Sequence, residues 1–117
     1  MNATLQHDEF RPFGIEVDPQ SDVVRVAPQG EIDLATVGRL RARIAELLSA
    51  GFSRLVLDLQ DVTFMDSTGL RLVLELVHAS RDDHWELSVI GVTRAVHRVF
   101  ELSGVLDVLP IGERGSS

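Results

Sequence analysis

Leu55-Val56-Leu57-Asp58-Leu59-Gln60-Asp61-Val62-Thr63-Phe64-Met65-Asp66-Ser67-Thr68-Gly69-Leu70 is the stretch whose reading decides the fold. Leu55 to Leu59 is a short apolar run of the kind expected for a strand buried on both faces. Gln60 to Asp66 reads as a loop. A helix then begins near Ser67 and runs to about Ser80, with Leu70, Val73, Leu74 and Val77 as its inward stripe. Strand, loop and helix in that order are half of a parallel β-α-β unit, because parallel strands need a long crossover between them.

Upstream, Phe13, Ile15 and Val17 alternate with Gly14, Glu16 and Asp18, the period of a half-buried strand. Asp18 to Asp22 is turn chemistry and Val23 to Ala27 resumes as a strand, so the two form an antiparallel hairpin. Gly30-Glu31-Ile32-Asp33 leads into a helix with Val37, Leu40, Ile44, Leu47 and Leu48 on one face, stopped at Gly51. Downstream, Trp85 to Ile90 reads as a strand and Gly91-Val92-Thr93 opens a third helix carrying Val96, Val99 and Phe100. Ser103-Gly104 ends that helix, and Leu106 to Leu109 reads as a last short strand. The expectation is an α/β single domain over residues 13–111: a mixed sheet made of an N-terminal hairpin followed by parallel strands with crossover helices. Residues 1–12 are expected to form a loose arm and 112–117 a frayed tail. Sites in such sheets lie beyond the C-terminal strand ends, here Gly30–Asp33, Gln60–Gly69 and Gly91–Thr93.

The 117 residues suit one domain. The chain has no cysteine, which removes a disulfide framework and thiolate metal sites. With 18 acidic against 11 basic residues it carries a net charge of −7, the wrong sign for a phosphate-neutralising nucleic-acid surface. No apolar run reaches the ~18–20 residues that cross a bilayer, and no signal segment opens the chain. A cytoplasmic domain without nucleic-acid or membrane partners is therefore expected. All the basic residues are arginine.

Around Ser67 two readings compete. The plainer one is helix capping, with Asp66 or Ser67 accepting from an amide of the next turn and Phe64 or Met65 as an apolar plug under the loop. Gly69 is odd in a first helical turn, where it costs ~1 kcal/mol relative to Ala, and it leaves backbone open to close approach. The second reading makes Ser67 or Thr68 a phosphoacceptor beside a helix N-terminus that tolerates negative charge. Enzyme alternatives fail on detail. A nucleophile elbow needs glycine where Met65 stands, and His7, His78, His84 and His97 are all remote in sequence. A P-loop needs a lysine. So does the receiver domain of two-component signalling, in which Asp58 could pose as the phosphorylated carboxylate; facing a loop amide or solvent is the simpler role for it. A metal site through His78 and His84 lacks a third ligand. No metal and no cofactor are expected on this chain.

Val24 to Leu109 resembles the STAS domain of anti-sigma factor antagonists. Three segments carry the likeness: Gly30-Glu31-Ile32-Asp33, Leu57 to Leu70, and Ser103-Gly104-Val105. The resemblance implies that Ser67 is the phosphorylated serine, with Thr68 the neighbouring hydroxyl, and that Asp33 is a carboxylate close to it. It implies an anti-sigma factor partner that is also a serine kinase using ATP and magnesium, both held by that partner. A PP2C-type phosphatase would reverse the mark. The implied mechanism is a switch: the unphosphorylated chain binds the anti-sigma factor and frees the sigma factor, and phosphate on Ser67 ends binding. The binding face is expected to comprise Asp33, Asp66, Thr68, Gly69 and Leu72. Leu72 and Leu76 lie off the inward stripe and are read either as partner contacts or as a second buried side. A monomer is expected, with a weak dimer as the alternative. The other reading within this resemblance is a scaffold or sensor subunit of a larger signalling assembly.

Overall fold

The structure is a computed structural model that describes residues 12–112. The expected arm and tail, apart from Pro12 and Gly112, lie outside the described residues. β1 (Gly14–Gln20) and β2 (Val23–Ile32) form the antiparallel hairpin, in register from Gly14↔Gln29 to Gln20↔Val23. The turn is tighter than expected, because pairing continues through Pro19 and Gln20. Only Ser21 and Asp22 are left to reverse the chain, with Ser21 in the left-handed region at φ 60°.

α1 (Val37–Ser49) buries Val37, Leu40, Ile44 and Leu47, the face read from the sequence, while Leu48 is half-buried. β3 (Arg54–Asp58) is parallel to β2 and to β5 (Glu86–Ile90), giving the order β1-β2-β3-β5. α2 (Ser67–Asp83) runs three residues beyond the expected end, and α3 (Arg94–Leu102) follows β5. The mixed sheet with its hairpin, parallel strands and helical crossovers matches the expected class.

Two expectations about individual segments need correction. Val62–Met65, read as loop, is a strand, β4, parallel to the last three residues of β2. Its burial runs buried, exposed, exposed, buried, so no alternation betrays it. Leu106–Leu109, read as a strand, is instead a 3-10 turn over Leu106–Val108, followed by a single bridge between Ile111 and Val89.

β2 is the organising strand. Its first half pairs β1 and β3, and its end pairs β4 after a register shift at Gly30/Glu31, where Gly30 supplies the φ of 93°. Val24, Val26, Leu55, Leu57, Leu59, Val89, Val96 and Phe100 are among the residues that close the core. Burial of each large aliphatic or aromatic side chain contributes roughly 1.5–3 kcal/mol.

The one buried charge among the described residues is structural. Asp58 is fully buried and accepts from Arg25 Nε at 2.9 Å and from the Gln60 amide at 3.1 Å. It faces a loop amide, as read from the sequence, and an arginine rather than solvent. Gly91 makes room for it: a Cβ there would lie 2.3 Å from Asp58 Oδ1, and the glycine sits at φ 66°. No helix among the described residues is long and apolar enough to cross a membrane.

Candidate functional site

The site is built where β2 and β4 end together. Ile32 pairs with Met65, and the Asp66 amide donates to the Ile32 carbonyl at 3.2 Å. Neighbouring strands run about 4.8 Å apart. The residues that follow this pair, Asp33 and Asp66, therefore leave the sheet side by side.

Each aspartate then organises a helix start. Asp33 Oδ1 accepts from the Ala35 amide at 3.0 Å, while the Asp33 amide donates to Thr36 Oγ at 3.0 Å. The Thr36 hydroxyl in turn donates to the Glu31 carbonyl at 2.8 Å. This knot fixes the approach to α1. Asp66 is the N-cap of α2, and its Oδ1 accepts from the Thr68 amide at 2.9 Å, the Thr68 hydroxyl at 2.5 Å and the Gly69 amide at 3.4 Å. The Thr68 hydroxyl, with the amides of Thr68 and Gly69, holds the Asp66 carboxyl below its ordinary value of 3.8 against the opposing effect of burial. Asp66 is ionised at neutral pH.

Ser67 stands at the first helical position, exposed, and its hydroxyl has no hydrogen-bond partner among the described residues. Of the two residues read as candidate caps, Asp66 or Ser67, the cap is Asp66. The two adjacent hydroxyls differ sharply. Thr68 donates its only proton to Asp66 and is half-buried, whereas Ser67 faces solvent.

Two residues expected on a binding face are not on the surface. Gly69 is buried, and the backbone it leaves uncovered is filled from within: a Cβ would lie 2.6 Å from Met65 Cγ and 2.9 Å from Ile32 Cγ2. Its missing side chain lets α2 pack down on β4 and β2. Leu72 is 2% exposed and Leu76 7%, while Leu74 on the expected stripe is only half-buried. The buried face of α2 is thus Leu70, Leu72, Val73, Leu76 and Val77, two-sided because the helix also packs on α1. Met65 is the apolar plug and is buried; Phe64 points out and is 48% exposed.

Asp33, Asp66 and Thr68 remain at the surface as half-buried groups around Ser67. Two features at this end escaped the sequence reading. Leu34, directly after Asp33, is 80% exposed and joins Phe64 as apolar surface near the acidic pair. Arg71, one helical turn after Ser67, is exposed; its i+4 spacing was the available signal. No group of three or more candidate metal ligands exists among the described residues. A hollow of about 400 Å³ between the ends of α1 and α2, lined by Phe52, His84 and Trp85, lies at the opposite end of the sheet from Ser67.

Comparison with known proteins places this geometry. Residues 14–114 match the STAS domain family. An anti-sigma-B factor antagonist of Staphylococcus aureus is 31% identical over 101 residues, which are 86% of this chain and 94% of that protein. The fold is shared with the anti-sigma factor antagonist SpoIIAA in its unphosphorylated form, at a TM-score of 0.74 and 21% identity over 88% of this chain and 90% of that one. It is also shared with the Bacillus cell fate determinant SpoIIAA in its phosphorylated form, at 0.69 and 19% over 88% and 93%. The chain belongs to the STAS-domain family.

Proposed function

We propose that this chain is an anti-sigma factor antagonist of the cytoplasm, switched by phosphorylation of Ser67. The observation that carries the reading is the division of labour between neighbouring hydroxyls. Ser67 is exposed and uncommitted at the start of α2, and Thr68 is held by the capping carboxylate. The 31% identical relative, named an anti-sigma-B factor antagonist, supports the choice of partner.

The chain itself performs no catalysis in this scheme. An anti-sigma factor with serine kinase activity brings ATP and magnesium, binds the unphosphorylated surface and releases its sigma factor. Its kinase activity then places a phosphoryl group on Ser67, adding about −1.5 to −2 charge at neutral pH. That charge appears beside Asp66, which is already ionised, at the end of the sheet where Asp33 also lies. An interface fitted to the smaller, neutral serine then meets both bulk and repulsion. A loss of ~2–3 kcal/mol changes occupancy about 30- to 150-fold. The modified helix stays folded, because negative charge at a helix N-terminus is favourable by ~0.3–1 kcal/mol. A PP2C-type phosphatase resets the switch.

The test is reconstitution with the kinase-type anti-sigma factor of the same cell. The unmodified chain and Ser67→Ala should bind it, and only the former should acquire phosphate and lose binding. Equal labelling of Ser67→Ala would remove Ser67 from the role. Binding that is indifferent to phosphate on Ser67 would replace the switch with a scaffold.

A further inference from the structure

We propose that Arg71 is the intrachain partner of phosphorylated Ser67, an arginine placed to clamp the phosphate against the first turn of α2. This inference rests on the reading of Ser67 as the phosphoacceptor. It starts from spacing on a regular helix. Ser67 and Arg71 are i and i+4 on the 17-residue α2, so they are neighbours on one face. Long side chains on a helix lean toward its N-terminus and cover the turn before their own Cα. The Arg71 guanidinium therefore reaches back over Ser67, not forward over Glu75.

Arg71 is also uncommitted. Arg25 is bound to Asp58, Arg41 to Glu75, Arg43 to Glu46 and Arg54 to Glu86, and Arg39 lies over the Phe13 ring. Glu75, the forward i+4 partner of Arg71, is thus taken by Arg41 at 3.0 Å. Arg71 is exposed and forms no ion pair among the described residues. The other charges toward this end of the sheet include Glu31, Asp33 and Asp66, with Asp61 just before β4, Arg39 in the first turn of α1 and Arg94 at the start of α3. Asp33 and Asp66 leave the sheet beside the modification position, and in the first two turns of α2 the cation is Arg71, with Arg81 in the last turn. A guanidinium offers a planar fork of donors that matches phosphate oxygens bidentately.

The consequence is a division between what the chain feels and what the partner meets. Arg71 offsets the new charge within the chain and fixes the phosphate's orientation, while the added bulk stays at the surface.

The experiment uses the full chain with phosphoserine incorporated at position 67 during synthesis, so that no kinase is needed, and follows the phosphorus NMR resonance through its second ionisation near pH 6. An i,i+4 ion pair of this kind should lower that midpoint by about 0.3 of a unit, from its pair energy divided by 1.36 kcal/mol per unit. Arg71→Gln should raise the midpoint by that amount, Arg71→Lys by less, and 1 M salt should erase the difference. Arg94→Gln is the control at the same end of the sheet. An Arg71→Gln midpoint unchanged from that of the parent, or a shift produced by Arg94→Gln instead, would overturn the clamp. Because the phosphate is installed directly, this outcome is separate from the kinase test. Failure of labelling by the anti-sigma factor would strike the functional reading and leave this titration standing.

Discussion

The amide of Asp66 donates to the carbonyl of Ile32 across 3.2 Å, and that bond ties the start of α2 to the end of β2. Both strands stop at the same level, so the loop into α1 and the cap of α2 are fixed to one rung of the sheet. The acidic pair Asp33 and Asp66 follows from this rung, not from any contact between the two side chains.

The cap should dominate the local energetics. Asp66→Ala removes the acceptor for the amides of Thr68 and Gly69 and is expected to cost about 1 kcal/mol, within the 0.5–2 range of such caps. Asp66→Asn keeps an acceptor and should lose much less at pH 7. The acid limb separates the two carboxyl forms. The Asp66 pKa is lowered in the folded chain, so its stabilising contribution is complete above the ordinary value of 3.8 and disappears as pH falls through the lowered one. Urea midpoints at pH 7 and pH 3 should therefore drop more for the parent than for Asp66→Asn. Parallel drops would show that the carboxylate gains nothing from the cap.

Gly69→Ala sets helix propensity against packing. Alanine gains about 1 kcal/mol as a helix former. Its Cβ would also sit 2.6 Å from Met65 Cγ and 2.9 Å from Ile32 Cγ2, and Ile32 is β-branched and 1% exposed. Overpacking of this kind costs about 1–3 kcal/mol, so a net loss near 1 kcal/mol is expected in chemical denaturation. The loss should shrink in a Met65→Ala background, because the two positions share one space.

Arg25→Met tests the buried carboxylate. Breaking a fully buried ion pair costs about 3–5 kcal/mol. The Arg25 side chain is 25% exposed and the Gln60 amide continues to hold Asp58 Oδ1, so roughly 2 kcal/mol is expected here. Calorimetry at neutral pH should record a fall in Tm of several degrees.

The hydroxyl pair predicts a selective outcome. Ser67→Ala should change stability by less than about 0.5 kcal/mol, as for other exposed, unbonded side chains. Thr68→Val should cost about 1 kcal/mol through the lost hydrogen bond to Asp66 and leave phosphorylation at Ser67 intact. Mass spectrometry of the kinase-treated variants reads both. Phosphate on Thr68 of Ser67→Ala at the parent rate would mean that the cap does not protect that hydroxyl.

Much of this architecture was legible because long amphipathic patterns dominate it. The α1 stripe from Val37 to Leu47, the hairpin alternation at Ile15 and Val17, and the start of α3 after Gly91-Val92-Thr93 all read directly. β4 did not, because four residues with only Val62 and Met65 buried are too few to show a period. The last segment misled for the same reason: Leu106 and Leu109 flank a single tight turn. The face of α2 was misassigned at Leu74 and left open at Leu72 and Leu76, where the second-buried-side reading holds, because a helix packed on two neighbours has no single stripe. Asp66 and Ser67 stood out through residue types at a helix start. Which hydroxyl is free depends on one rotamer of Thr68, and no one-dimensional pattern encodes that.

β2 carries a mechanical consequence. It is hydrogen-bonded to β1, β3 and β4 in turn, so opening it means breaking most of the sheet. Ser67, the proposed phosphoacceptor, hangs from its final rung by the Asp66 amide. An address written on so heavily braced a strand does not fold away when it is marked. A kinase, a phosphatase and an inhibitor would each meet the same rigid outline, and the message would lie in what is attached to it.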